Sequence, residues 1–286
     1  MATKQLVVVV GPTGSGKTGL AIELAKKVDG EIICADSRTI YKGMDIITAK
    51  PNFAEMQKIR HFGLDLVNPD QKYSVKDFQA YTNQKIKQIR DRAKVPILVG
   101  GSGLYINSVV FDYSFPEITQ EITDMPLSEL QKIVKDKGYE VSEQVFKNQR
   151  HLMGVIKRGG AIGTTTLRPD TIILGINPGL EVLKTRINRR VDEMFEAGAV
   201  REVEGLIKKY GDKCAAFNAP GFKPIQRFIS GEVSMLEAKA VFVKADIYLA
   251  KKQMKWFKRY PQIIWFSSSS ELLSSSSSYE VSSKRL

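Results

Sequence analysis

GPTGSGKT, Gly11–Thr18, stands between an apolar run, Leu6–Val10, and an apolar helical pattern, Leu20–Ala25. Strand, glycine-rich turn and helix in that order are the context of a phosphate-binding P-loop. Gly11, Gly14 and Gly16 let the backbone turn its N–H groups inward, and the helix N-terminus adds partial positive charge. Lys17 supplies a full charge and Thr18 a hydroxyl suited to Mg²⁺. Gly11, Pro12, Thr13, Gly14, Ser15, Gly16, Lys17 and Thr18 are therefore the candidate cradle for a ligand with two or more phosphates. The motif alone does not say which ligand.

Working outward, short apolar runs alternate with helical patterns. Leu6–Val10 reads as a strand and Thr18–Val28 as a helix closed by Gly30. Glu31–Ala35 reads as a second strand, Ser74–Ala93 as a helix carrying Phe78, Ile86 and Ile89, and Val95–Val99 as a further strand ending in Gly100-Gly101. Such alternation gives a parallel sheet, and Thr171–Ile176 reads as another strand of it. The fold class expected is α/β, a P-loop-type parallel sheet flanked by helices with a small helical insertion. The core takes residues 1–113 and 166–266, and the polar stretch 114–165 is the insertion. The serine-rich residues 267–286 are expected to be a flexible tail, because serine buries too little apolar surface to fold alone. In parallel sheets ligands sit beyond the carboxyl ends of the strands. The P-loop, Asp36-Ser37-Arg38, Gly100–Gly103 and Asn177-Pro178 are expected to share one crevice.

Composition narrows the partners. The 286 residues carry 43 Lys and Arg against 31 Asp and Glu, a formal net charge of +12. That excess favours a polyanion, most often nucleic acid. Cys34 and Cys214 are too few for a disulfide scaffold and suit a reducing compartment. Two histidines, His61 and His151, with no Cys–His cluster argue against structural zinc. No apolar run reaches the ~18 residues of a membrane span, and the first strand begins too early for a signal peptide. A cytoplasmic location is expected. The stretch Leu180–Tyr210 and the helix Ala238–Arg259 are strongly basic. Their charges read either as a solvated face or as an RNA footprint, with Arg189, Arg190, Lys251 and Lys255 the candidate phosphate contacts.

Asp36 follows the second strand, one strand from the P-loop. The residues alone leave two readings open. It is a Mg²⁺-water ligand or turn cap, or a general base acting on a nucleophile.

DSRTIYKGMDIITAKP, Asp36–Pro51, resembles the segment after the second strand in the tRNA dimethylallyltransferases. The resemblance continues in order through YSVKDF (Tyr73–Phe78), VPILVGGSGLYI (Val95–Ile106), INRRVDEMFEAGAVREV (Ile187–Val203) and AKKQMKWFKR (Ala250–Arg259) with Trp265. It implies transfer of a dimethylallyl group from dimethylallyl diphosphate to N6 of adenine 37, in tRNAs reading codons that begin with U. It implies Mg²⁺ as cofactor, with Thr18 its protein ligand, and catalytic roles for Asp36, Ser102 and Lys17. Asp36 would take the proton of the adenine amine. Ser102, where the family usually has threonine, would reach a diphosphate or leaving oxygen. Positions matching tRNA-contacting segments are Asp36, Ser37, Arg38 and Thr39; Gln149, Arg150, His151, Leu152 and Met153; and Gly221, Phe222 and Lys223. Phe222 could stack on a base. The partners implied are the anticodon stem-loop of tRNA and dimethylallyl diphosphate, acted on by a monomer.

The chain departs from the family pattern at RHFGLD (Arg60–Asp65), Ile47, Met153, Pro224 and Ile247, and the insertion is short. The competing readings are an adenylate dimethylallyltransferase using free AMP, a P-loop small-molecule kinase, and an RNA-binding protein with weakened catalysis.

Overall fold

Five consecutive apolar residues, Leu6–Val10, form strand β1 in the interior of a parallel sheet. The computed structural model describes residues 4–275 apart from 57, 116, 118–121, 124 and 161–165. The other strands are β2 (Gly30–Cys34), β3 (His61–Phe62), β4 (Val95–Gly100), β5 (Thr171–Ile176) and β6 (Ile263–Phe266), and the spatial order is β3-β2-β4-β1-β5-β6. Every pairing is parallel, and Val8 faces Leu98 on one side and Ile173 on the other. Strands β1, β2 and β4 are buried along their whole length. Near-continuous apolar runs are what a sheet covered on both faces requires. Strands β3 and β6 were not anticipated from the sequence: one is two residues long, the other lies past the last helix read.

Helices α1 (Lys17–Val28), α2 (Phe53–Met56), α3 (Val75–Asp91) and α4 (Gly103–Val110) belong to the first part of the core. Helices α5 (Leu127–Asp136), α6 (Glu143–Phe146) and α7 (Gln149–Lys157) follow. Then come α8 (Leu180–Glu196), α9 (Ala199–Tyr210), a short 3-10 turn (Ala215–Asn218), α10 (Phe222–Ile229), α11 (Met235–Phe257) and α12 (Ser269–Ser275). The basic stretch Leu180–Tyr210 is two helices parted at Gly198, whose φ of 103° starts α9. Helix α11 opens on a reciprocal cap between Ser234 and Glu237, which satisfies N–H groups otherwise left bare at a helix start.

The chain divides into two compact units, residues 1–110 with 169–286, and residues 111–168. In the smaller unit α5, α6 and α7 pack around Leu130, Val134, Leu152 and Ile156. In the larger one the sheet and α1 share a core that includes Val9, Leu20, Leu24, Ile32 and Ile97.

The serine-rich segment is helical in its first part. Residues 269–275, expected to be flexible, form α12, and Leu272 is buried in the same cluster as Leu20 and Leu24. Two leucines among the serines supply the apolar contact that serine cannot. The start of the helix is held by Glu271, which accepts from the Ser267 N–H and hydroxyl. Residues 276–286 lie outside the described residues.

Candidate active site

The turn between β1 and α1 has the P-loop form. Gly14 and Gly16 have φ of 78° and 89°, the left-handed region that side chains disfavour. Three contacts from distant helices fix it. The Thr13 N–H donates to Gln253 Oε1 of α11 at 2.8 Å. Arg186 of α8 donates to the carbonyls of Ser15 at 3.0 Å and Gly14 at 3.4 Å. Arg186 holds those two carbonyls, the Thr13 N–H is committed to Gln253 and the Ser15 N–H to the Pro12 carbonyl, so an anion would be met by the N–H groups further along the turn at the start of α1. Lys17 Nζ donates to the Pro12 carbonyl at 3.3 Å.

A cavity of about 600 Å³ opens on this turn. Its wall includes Thr13, Gly14, Gly16, Lys17 and Thr18, and from α8 Arg186, Arg189 and Arg190. Cys34, Asp36, Thr39 and the loop Thr48–Ala49 also line it, with Ser269 from α12 and two further carboxylates, Glu55 of α2 and Glu193 of α8. The three arginines lie at spacings of three and four on one helix, so one face carries them all. Burial lowers the Lys17 pKa from 10.5 to about 8; Asp36 opposes the shift, Arg190 adds to it and Asp246 opposes it. Arg190 Nη2 meets Asp246 Oδ2 at 2.5 Å, while its Nε is buried with no partner among the described residues. Burial pushes the Cys34 thiol up to about 12, with Asp36 adding to the shift. A thiol so held stays protonated and is no nucleophile.

A second cavity of about 420 Å³ is walled by Asp36, Ser37, Arg38, Gly101–Tyr105, Leu249, Lys252, Gln253 and Trp256, with Asn218 and Pro220. Among the described residues, Asp36 alone lines both cavities. Its loop is built with care. Asp36 Oδ1 accepts from the Arg38 N–H at 2.8 Å, and the Ser37 N–H donates to Ser102 Oγ at 2.9 Å. Gly100 makes this approach possible, since a Cβ there would lie 2.0 Å from the Ala35 carbonyl oxygen.

The described residues hold no group of three or more His, Cys, Asp or Glu placed to bind a metal. The oxygen donors that Mg²⁺ takes are present on the first cavity wall in Thr18 and Asp36. Mg²⁺ typically pairs one or two such ligands with phosphate oxygens. The donor set fits an ion brought in with a diphosphate.

A sequence model of the family described as IPP transferase matches residues 39–260. The chain belongs to the IPP transferase family. The match begins downstream of the P-loop, so the cradle at Gly11–Thr18 is evidence separate from it. The tRNA dimethylallyltransferase of Staphylococcus haemolyticus is 35% identical over 91% of this chain and 86% of its own length. That of Alkaliphilus oremlandii is 38% identical, covering 92% and 91%. A crystal structure of tRNA delta(2)-isopentenylpyrophosphate transferase from Staphylococcus epidermidis aligns with a TM-score of 0.74 at 31% identity, over 96% of this chain and 98% of that one.

Set in this IPP transferase fold, the residues singled out in the sequence fall into several places. Thr13, Gly14, Gly16, Lys17 and Thr18 of the P-loop meet Asp36 and Thr39 at the first cavity, while Gly11, Pro12 and Ser15 are not on its wall; Ser37, Arg38 and Ser102 line the second. Ser102 does not line the P-loop cavity. Its hydroxyl is engaged with Ser37, which places it behind Asp36 rather than at a diphosphate. Asn177 is not in the shared crevice but in a third hollow with Leu183, Lys251 and Lys255.

Phe222 is 1% exposed and stacks on Phe217 with centroids 3.9 Å apart, so its face is closed to a base. Gly221 is buried against Phe242, leaving Lys223 the exposed member of that trio. Leu152 and Met153 belong to the core of the smaller unit. Gln149 donates to the Met125 carbonyl, while Arg150 and His151 are exposed. Amphipathic α7 divides its residues this way: the family motif covers a full turn of helix, and part of any turn must face inward.

The sequence reading missed Gln253, Arg186 and the Arg190–Asp246 pair as parts of the P-loop site. The spacing of Arg186, Arg190 and Glu193 on one helical face was available as a signal. The Gln253 contact spans 240 residues and left none.

Proposed function

We propose that this protein transfers a dimethylallyl group from dimethylallyl diphosphate to N6 of an adenine in tRNA, the adenine at position 37 of tRNAs that read codons beginning with U. The observation that carries the reading is the double position of Asp36, on the wall of an anion cavity and on the wall of a second, more apolar one. The names borne by the relatives support the same chemistry. The excess of basic residues supports an RNA acceptor.

In this reading the P-loop N–H groups, Lys17, Arg186 and Arg190 hold the diphosphate. Mg²⁺, held by Thr18 and phosphate oxygens, would add charge neutralisation on the leaving group. The adenine amine is a weak nucleophile, since its lone pair is delocalised into the ring. Asp36 accepts a hydrogen bond from N6 and orients it. The N6 pair attacks C1 of the dimethylallyl group as the C1–O bond breaks. The bonding electrons leave on the diphosphate, where Lys17 and the arginines stabilise them. The N6 proton passes to Asp36. The second cavity receives the extruded base, which costs a few kcal/mol of unstacking and needs a shaped pocket in return. We take the acting unit to be a monomer. No helix among the described residues is long and apolar enough to cross a membrane, and we place the activity in the cytoplasm.

The test is to supply labelled dimethylallyl diphosphate and Mg²⁺ with tRNA or with AMP. Label on tRNA at N6 of adenine 37 is the expected outcome. Label on AMP alone, or phosphate release from ATP stimulated by a small metabolite, would overturn it.

A further inference from the structure

The serine-rich segment past β6 carries a hydroxyl that the reaction as described does not use. The Ser267 hydroxyl donates to Glu271. Ser268 and Ser270 are bonded to each other at 2.9 Å, and the Ser274 hydroxyl donates to the Glu271 carbonyl at 2.9 Å. Among the described residues Ser269 differs from these four: its hydroxyl has no hydrogen-bond partner. Ser269 is also the member of the run that lines the P-loop cavity.

The chain on either side fixes where that hydroxyl lies. Before it, β6 runs beside β5, and the Asn177 N–H donates to the Phe266 carbonyl at 2.9 Å. After it, Leu272 is buried with Leu20 and Leu24 of α1, and Lys27 Nζ donates to the Leu273 carbonyl at 3.3 Å. Helix α12 is thus docked on α1, the helix whose first N–H groups face the cavity without a partner of their own. At the start of α1, the place a Cβ on Gly16 would take lies 3.5 Å from Arg186 Nη1 and 4.0 Å from Ser269 Oγ. The free hydroxyl and the guanidinium therefore flank one stretch of backbone, and Lys17, Arg189 and Arg190 line the same cavity. A hydroxyl set among cations has a proton to give to an anion, and bonds to charged acceptors are the strong ones.

We propose that Ser269 is a ligand of the diphosphate, which makes α12 a wall of the active site. Its Oγ–H donates to a diphosphate oxygen held at the start of α1, beside Arg186. The inference rests on the reading of the first cavity as the diphosphate site.

Calorimetric titration of inorganic diphosphate with Mg²⁺ into the full chain, without RNA, reads this contact directly. Label transfer to tRNA is followed in parallel. Ser269→Ala is expected to weaken diphosphate binding about tenfold, as for a lost bond to a charged group. Its urea unfolding should match wild type, because the hydroxyl has no protein partner to lose. Ser269→Thr keeps the hydroxyl and should restore affinity. Ser269→Asp sets a carboxylate against the anion and should weaken binding about a hundredfold. Ser270→Asp adds the same charge one residue on, where the side chain meets Ser268, and should stay near wild type. Wild-type affinity in Ser269→Ala overturns the proposal, as do equal losses in the two Asp variants. A wild-type protein that binds no diphosphate overturns it together with the reading of the cavity. A tenfold loss in Ser269→Ala, alongside no transfer by wild type to any RNA, upholds the ligand and overturns the reading of the reaction.

Discussion

Arg190 of α8 and Asp246 of α11 meet at 2.5 Å on the edge of the P-loop cavity, and Asp246 is 4% exposed. Burial raises the Asp246 pKa, and the adjacent guanidinium opposes that rise. The pair fixes an arginine that would otherwise swing freely, and it balances a charge that Lys17 also feels. Asp246 is thus a positioning residue: it acts on a diphosphate through Arg190.

Removing one member of a buried pair leaves the other uncompensated. Asp246→Ala is expected to lower stability by about 3 kcal/mol, read from urea unfolding. The Arg190→Met/Asp246→Leu double variant removes both charges and should recover most of that loss. It should not recover donor use, and its KM for dimethylallyl diphosphate should stay raised about tenfold or more. A double variant with wild-type KM would show that the pair is structural only.

Lys17 gives a pH signature whose sign can be worked out. Its pKa falls from 10.5 to about 8, so its charge is lost as pH rises through 8. Donor KM should therefore climb between pH 7 and pH 9, and Lys17→Arg, which stays charged, should flatten that profile. Stability runs the other way. Between pH 8 and 10.5 the unfolded chain binds more protons at this residue than the folded one, so stability rises with pH there. Below pH 8 the folded state carries the cost of a desolvated charge. Lys17→Met should consequently stabilise the ligand-free protein at pH 7 by about 2 kcal/mol while abolishing transfer. Thermal unfolding and transfer assays on one preparation check both halves.

Asp36→Ala is expected to lower kcat by about 10²–10⁴, the usual cost of losing a general base. Donor and RNA affinities should stay within a few-fold of wild type. A variant that keeps more than a tenth of the rate would remove Asp36 from the proton transfer. Single-turnover kinetics with preloaded RNA separate this from a binding defect.

Glu202 supports the site from a distance. Its carboxylate accepts from the N–H groups of Asp45, Ile46 and Ile47 at 2.8–3.0 Å, and that loop runs straight into Thr48 and Ala49 on the cavity wall. Glu202→Ala should cost about 2 kcal/mol of stability, as for other lost bonds to a charged group. Amide exchange should accelerate at residues 45–47 and leave β1 unchanged.

What was legible in the sequence is local, and what was not is long-range. LVVVV and VPILVG read as strands because nothing polar interrupts them, and GPTGSGKT reads as a cradle because its geometry lies within eight residues. The HF pair of β3 is too short to carry a period. The Asp29 turn closes α1 in place of Gly30, since its φ of 49° is open to Asp as well as Gly. Serine content hid α12, because Leu272, with Leu273 beside it, outweighs the helix's five polar residues once α1 offers a partner to pack on. The sequence leaves the arginines of α8 as a solvated face or an RNA footprint, and only their contacts with the P-loop and α11 put Arg186 and Arg190 at the phosphate cavity.

The two accounts of Ser102 can be told apart. Family resemblance brings its hydroxyl to the diphosphate, whereas the structure commits it to Ser37, accepting from the backbone N–H at 2.9 Å and lying 3.3 Å from Ser37 Oγ. If it braces the Asp36 loop, Ser102→Ala loosens the base and leaves the anion cradle intact. kcat should then fall about tenfold, in line with the roughly 1.5 kcal/mol of a lost hydrogen bond, and donor KM should stay within twofold. Ser102→Thr keeps the hydroxyl and should restore the rate. If the hydroxyl touches the leaving group instead, Ser102→Ala will weaken binding of inorganic diphosphate, measured by calorimetry without RNA. Unchanged diphosphate affinity with a lowered kcat assigns Ser102 to the loop; weakened affinity returns it to the P-loop site.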